Sequence, residues 1–161
     1  MSDDLAVPHD LDAERAVLGG VMVEGARFAD AAAVLGSSAF YRLAHRQVWQ
    51  ACERLHLAGT PIDFLTLRDS LDTAGHLDEV TVMYLASLVD GVPKAMNVAA
   101  YAGIVRDKAD ARALVTALQQ GIRAVSENGP SPDVLGPLAE ALRLGGDLAN
   151  GIGHQRRVAD V

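Results

Sequence analysis

Apolar residues recur along this chain with the spacing of helices almost throughout. Alternation of apolar and polar residues, which is typical of a half-buried β-strand, never runs long enough to predict one. The pattern therefore predicts an all-α fold. Its elements are a series of short helices, then one long helix, and a last helix that folds back on it.

The first predicted helix starts after Asp10, a favourable N-cap residue. Asp12 and Glu14 would lie in its first turn, where negative charge favours the helix dipole. Apolar residues between positions 17 and 22 would share one face. Gly19 and Gly20 interrupt this face, and a glycine inside a helix costs about 1 kcal/mol relative to alanine. Two in succession indicate either close packing by a neighbour or a local break.

Four further short helices are predicted before residue 97. Gly59 and Gly75 are the expected stops of two of them, and Asp63 is the expected N-cap of the second. The four cover roughly residues 26–35, 45–58, 64–74 and 80–89.

The longest uninterrupted stretch runs from Asn97 to Asn128, with no proline and only Gly103 and Gly121 to weaken it. As a continuous helix it would be ~48 Å long. Eight positions in it follow heptad-like spacing, and seven of them are apolar or aromatic, which is the pattern of a helix that packs along a partner helix. These eight positions, called the seam, are Tyr101, Ile104, Lys108, Ala111, Val115, Leu118, Ile122 and Val125.

A last helix is predicted over 131–144, because Ser131 and Pro132 form a good N-cap and first-position pair. The expected architecture is a compact helical bundle (1–96), a long antiparallel helical hairpin (97–144) and a glycine-rich linker (145–161). The predicted interface of the hairpin consists of Tyr101, Ile104, Ala111, Val115, Leu118, Ile122, Val125, Leu135, Leu138 and Leu142.

The seam has two interpretations. It could form core within its own domain, because helical hairpins commonly pack intramolecularly. It could instead contact another chain, and the length of the helix favours this, since ~48 Å outreaches a small globular body.

Composition narrows the function classes. The chain has 161 residues, a net charge of −7 and only two lysines, Lys94 and Lys108, so we expect no direct nucleic-acid site. No apolar run approaches the ~20 residues of a membrane helix, and the acidic start is unlike a signal peptide. A single cysteine, Cys52, excludes an internal disulfide and fits a cytoplasmic location.

Candidate chemistry is sparse. Glu53 and His56 form one ExxH spacing, whereas a di-iron bundle needs two such motifs and two more glutamates. His45 is interpreted as a packing residue, and Cys52 as inert core. No Gly-Lys pair exists, so the phosphate-binding P-loop is missing from these residues. The basic cluster of 154–157 is interpreted as a solvated linker. We expect no catalytic residue, metal or cofactor in this chain.

Six segments, in order and in register, resemble DnaB-type replicative DNA helicases. ValProHisAspLeuAspAlaGluArgAlaValLeuGlyGlyValMet at 7–22 resembles the first helix of that family. PheTyrArgLeuAlaHisArgGlnValTrp at 40–49 and GlyThrProIleAspPheLeuThrLeu at 59–67 resemble the next two motifs. The rest of the series is TyrLeuAlaSerLeu at 84–88, ValPro at 92–93 with Asn97, and Tyr101 with IleValArgAspLys at 104–108.

The resemblance implies the amino-terminal domain of such a helicase. In that family, hairpins pair two subunits, and three pairs build a collar over a hexameric motor ring. The collar receives primase and, in some systems, a helicase loader. The seam would then be a dimerising surface. ATP and magnesium would be needed only in a RecA-like motor domain, which is absent from these residues.

Other interpretations remain open. The chain could be part of a longer helicase, or a free-standing adaptor, for example one encoded by a phage, that binds a host helicase or primase. A continuation of the coding sequence into a P-loop would separate the two. A small metalloenzyme is a third interpretation, supported only by the single ExxH spacing.

Overall fold

The computed structural model describes residues 7–90, 92, 97–143 and 145. Every regular element in these residues is helical, which confirms the predicted all-α class. Two single 3-10 turns, Gly25–Arg27 and Ser37–Ala39, accompany the α-helices. These are α1 (Leu11–Val23), α2 (Phe28–Ala32), α3 (Leu43–Leu57), α4 (Phe64–Thr73), α5 (Val82–Val89), α6 (Val98–Asn128) and α7 (residues 132–143). No helix in this part of the chain is long and apolar enough to cross a membrane.

Side-chain caps fix where helices begin. The Asp10 carboxylate accepts a hydrogen bond from the backbone N–H of Ala13 at 2.9 Å, as predicted for α1. Asp63 accepts from the N–H groups of Leu65 and Thr66, and the Thr66 hydroxyl accepts from the Asp63 N–H in return. This capping box satisfies N–H groups that the first turn of α4 leaves unpaired.

Two helices start later than the apolar pattern indicates. The segment predicted as one helix over 26–35 opens with the 3-10 turn, so α2 begins only at Phe28. Thr81 caps α5 by accepting from the Tyr84 N–H at 3.1 Å, and Val80 lies before the helix although it is fully buried. Because the Val80 side chain is buried, the apolar pattern included it in the predicted helix, although α5 begins only at Val82.

The first of two compact units spans Pro8–Ala109 and is called the body. Its core surrounds Trp49 of α3. The centre of the Trp49 ring lies 4.9 Å from the centre of the Phe28 ring and 5.1 Å from that of the Phe40 ring. Helix α1 packs on α3 and α5, and α4 packs on α3. The first turns of α6 belong to this core, because Val98, Ala102 and Val105 are buried in it.

Helix α1 is continuous through both of its glycines, so neither is a break, and Gly19 marks close packing by a neighbouring helix. Gly19 is buried where α1 meets α5, and its Cα faces the backbone of Leu88. The absence of a side chain at position 19 therefore lets the two helices approach closely.

The second unit takes in the chain from Asp110 onward and contains the rest of α6 and the whole of α7. Position 121 lies against Leu138, and position 145 lies against Leu114. Positions on α6 thus pair with later positions on the second helix in reverse order, which makes the two an antiparallel hairpin, as predicted. Apart from Gly145, the predicted linker and its 154–157 basic cluster lie outside the described residues.

Candidate functional site

The sequence placed its candidate site on α6 and α7. In the body, the seam residues Tyr101 and Ile104 are 37% and 38% exposed. The neighbouring residues Ala102 and Val105 are buried instead, and they anchor α6 to the core. The apolar pattern did not separate these two stripes, which run side by side along the same helix. The seam residues of the body therefore lie off its core.

In the second unit, α7 packs on a part of α6 that includes Gly121, a position outside the seam. Leu138 of the predicted interface takes part in this packing, because a Cβ at position 121 would lie 2.6 Å from the Leu138 Cδ1 atom. Gly121 therefore provides room for Leu138. A cleft of about 220 Å³ lies between the helices; its lining is Ala117, Gln120, Gly121, Ala124, Asp133, Val134, Pro137 and Leu138.

Three predicted interface residues of the hairpin are exposed. Ile122 is 66% exposed, and Leu135 and Leu142 are also exposed. The remaining four, all on α6, are partly buried: Ala111, Val115, Leu118 and Val125. The hairpin thus half-buries Leu138 and these four residues, and it leaves Ile122, Leu135 and Leu142 exposed. That these side chains contact another chain stays a prediction.

The body contains a buried polar network that the sequence did not predict. The Glu14 carboxylate lies 2.6 Å from Nδ1 of His45 and accepts from the backbone N–H of Tyr41 at 2.7 Å. The other ring nitrogen of His45, Nε2, lies 2.7 Å from the Tyr84 hydroxyl. Glu14 and His45 are both buried, so this network joins α1, α3 and α5 inside the protein.

Hydrogen bonds set the charge state of Glu14. Burial alone would raise the pKa of this carboxyl, but the bonds from His45 and from the N–H groups of Tyr41 and Arg42 outweigh burial. The pKa of Glu14 is therefore held below its ordinary value of 4.5. The signal in the sequence was its position in the first turn of α1, which suggested a role at the helix dipole and gave no sign of these distant partners.

The other candidate residues have structural surroundings. Cys52 is fully buried, and burial, with the nearby Glu53 charge, raises the pKa of its thiol to about 12. A thiol held neutral in this way is a poor nucleophile. The His56 ring packs on the Phe28 ring, with 5.0 Å between the two ring centres. In the described ranges, no three His, Cys, Asp or Glu side chains are grouped so that they could hold a metal ion.

Comparison with known sequences points to one family. Residues 6–107 match the family model described as the DnaB-like helicase N terminal domain. The chain is 40% identical over 126 residues to the replicative DNA helicase DnaB of Haemophilus influenzae, a match that covers 78% of this chain. It is 42% identical over 109 residues to that of Treponema pallidum. These matches cover only 26% and 25% of the two relatives, so the chain spans about a quarter of their length.

Solved structures agree with the sequence comparison. The N-terminal domain of DnaB helicase from Mycobacterium tuberculosis superposes with a TM-score of 0.80 at 33% identity, over 85% of this chain and 99% of that one. The N-terminal domain of DnaB helicase from Helicobacter pylori, described with its interactions with primase, gives a TM-score of 0.62 at 22% identity. That match covers 73% of this chain and 91% of the H. pylori chain, and it shows a shared fold.

Proposed function

Because the chain belongs to the DnaB-like helicase N-terminal domain family, we propose that it acts in DNA replication as an assembly domain. In this role it joins copies of itself through the α6–α7 hairpin and receives primase. Its relatives over this region are replicative helicases, and that likeness is the reason for assigning it to replication.

The observation that supports self-association is the exposed apolar set on the hairpin. Ile122, Leu135 and Leu142 are exposed on two antiparallel helices, and none of the three lines the cleft between those helices. Apolar area removed from water contributes roughly 25 cal/mol per Å², so burying such side chains against a second hairpin would favour a dimer. A symmetric dimer repeats the same patch on both chains, which suits a single self-complementary surface. Three such dimers would form a hexamer.

Primase is the proposed second partner. The supporting fact concerns a relative, since the H. pylori domain of the same fold is described with its interactions with primase. A helicase loader could use the same domain. ATP and magnesium have no role in this proposal, which assigns ATP-driven unwinding to the parts of the helicase relatives that this chain does not match.

Sedimentation equilibrium tests the self-association. The unaltered chain should have the mass of a dimer or a larger assembly, and Ile122→Glu should shift it toward the monomer, because an apolar contact is replaced by a desolvated charge. Leu65→Glu is the matched control, since Leu65 is 64% exposed but lies on α4 of the body. It should leave the mass unchanged. A monomer at every concentration, or equal effects of the two substitutions, would contradict the role of the hairpin.

Isothermal titration with primase from the same organism tests the other half of the proposal. Binding should be measurable for the unaltered chain. Its absence, with self-association intact, would remove primase from the proposal and leave the assembly role.

A further inference from the structure

Two arginines of the body converge on the ring of Tyr84. The guanidinium carbon of Arg42 lies 4.6 Å from the centre of this ring, and that of Arg15 lies 6.0 Å from it. Both distances fit a cation held against an aromatic face. Arg42 is exposed, while Arg15 and Tyr84 are partly exposed, so the cluster forms part of the protein surface.

The buried network beneath Tyr84 keeps this cluster in place. The Tyr84 hydroxyl is hydrogen-bonded to His45. His45 is hydrogen-bonded in turn to the buried carboxylate of Glu14. On the surface, one N–H group of Arg15 donates to the carbonyl oxygen of Ser87 at 3.0 Å. The ring and one of its two cations are therefore positioned before any ligand arrives, which lowers the entropy cost of binding.

Neither arginine has a carboxylate partner within the part of the chain that the structure describes. Glu14, the carboxylate of this cluster, is occupied by His45 and by the backbone N–H groups of Tyr41 and Arg42. Two arginines without a carboxylate partner are unexpected in this chain, because its 21 acidic side chains outnumber its 14 basic ones, not counting histidine. A guanidinium carries five N–H donors in a planar fork that matches a carboxylate, so most donors of the pair are available to a ligand.

We propose that the face formed by Arg15, Arg42 and Tyr84 binds an acidic segment of a partner protein. Carboxylates would pair with the two guanidinium groups, and an apolar side chain of the segment would lie beside the ring. Two cations on a chain of net charge −7 are too few to neutralise a run of phosphates, which argues against nucleic acid as the occupant. The proposal concerns the body and does not depend on self-association through the hairpin.

Nuclear magnetic resonance of the ¹⁵N-labelled chain tests this face directly. The probe is an acetylated, amidated six-residue peptide of alternating glutamate and leucine, titrated to millimolar concentration. The side-chain Nε–H signals of Arg15 and Arg42 and the backbone signal of Tyr84 should shift together. The same peptide with glutamine in place of glutamate should bind at least about tenfold more weakly, because charge-assisted hydrogen bonds are lost.

Substitution separates this face from general surface charge. The double variant Arg15→Gln/Arg42→Gln should weaken binding of the acidic peptide by about tenfold or more. Arg68→Gln removes the same charge from an exposed site on α4 and should change the affinity by less than about twofold, as expected for a distant charge under screening. If the double variant unfolds early, Arg42→Gln alone serves, because the Arg42 side chain makes no hydrogen bond to any residue that the structure describes.

Three results would overturn the proposal. The peptide could cause no localised shift at millimolar concentration, or it could bind the double variant as tightly as the unaltered chain. A twelve-nucleotide oligothymidine could also bind the same residues more tightly than the peptide does, which would make the face a nucleic-acid site instead.

Discussion

Gly19 of α1 lies so close to Leu88 of α5 that a Cβ at position 19 would overlap the Leu88 carbonyl oxygen. The same Cβ would lie 2.7 Å from Cγ2 of Val92. The obstacle is backbone, which cannot rotate aside as a flexible side chain can. The spacing between the two helices therefore depends on glycine at this position.

Gly19→Ala should lower the free energy of unfolding by about 1–3 kcal/mol or more, because the helices must separate to admit the methyl group. Urea denaturation followed by circular dichroism would measure it. Gly36→Ala is the control, since a Cβ there would meet no described residue within 4 Å beyond its chain neighbours, and its φ is −109°. It should be neutral or slightly stabilising. Equal stability of the two variants would refute the close packing.

Glu14 should make the body sensitive to acid. The pKa of Glu14 is lowered in the folded state, so its contribution is fully present above its ordinary value of 4.5 and is lost as the pH falls through the folded pKa. Glu14→Gln should cost about 1–3 kcal/mol at pH 7, since a buried network loses its charged acceptor. The cost should shrink as the pH falls below 4.5. Urea denaturation as a function of pH would test this, with Asp72→Asn, an exposed site, as control.

The two glycines inside α6 should respond differently to alanine. A Cβ at position 103 would meet no described residue within 4 Å outside its own helix turn, so Gly103→Ala should raise stability by up to about 1 kcal/mol through helix propensity. Gly121→Ala gains the same propensity but forces Leu138 to move, so its gain should be smaller or negative. Thermal unfolding by circular dichroism would compare them. An identical increase in melting temperature would show that Leu138 does not depend on Gly121.

Cys52 should resist thiol reagents in the folded protein. Its pKa is raised to about 12, mainly by burial, so little thiolate is present at neutral pH and the sulfur is shielded from solvent. Reaction with a chromogenic disulfide should be slow without denaturant and complete within minutes in concentrated urea. Fast reaction under native conditions would show that α3 opens locally.

Local signals predicted the helices well. The N-caps Asp10 and Asp63 act within three residues of themselves, and both were identified from the sequence. The tertiary role of Glu14 could not be found in this way, because its partners Tyr41 and His45 lie 27 and 31 residues further along the chain. The same holds for Gly19, whose neighbour Leu88 belongs to a different helix. In both cases the sequence showed an unusual residue, and only the fold shows what it contacts.

The side of α6 that packs in the fold could not be predicted from the apolar pattern. Apolar residues occur on more than one side of α6, and periodicity cannot tell which side meets the core. Small residues lie on the sides of α6 that pack: Ala102 is fully buried in the body, and Ala117 and Ala124 line the cleft with α7. The heptad spacing gave most weight to larger side chains, such as Tyr101 and Ile122, which remain exposed.

Helix α6 is one continuous element, yet only its first turns, with Val98, Ala102 and Val105, are fully buried. Backbone amides there can exchange with solvent deuterium only when the body itself unfolds. Amides beyond Ala109 belong to the second unit, where no residue of α6 is fully buried, so they should exchange through smaller, local openings. A single helix would then show two rates of isotope exchange, with the change falling in mid-helix, away from any proline or loop.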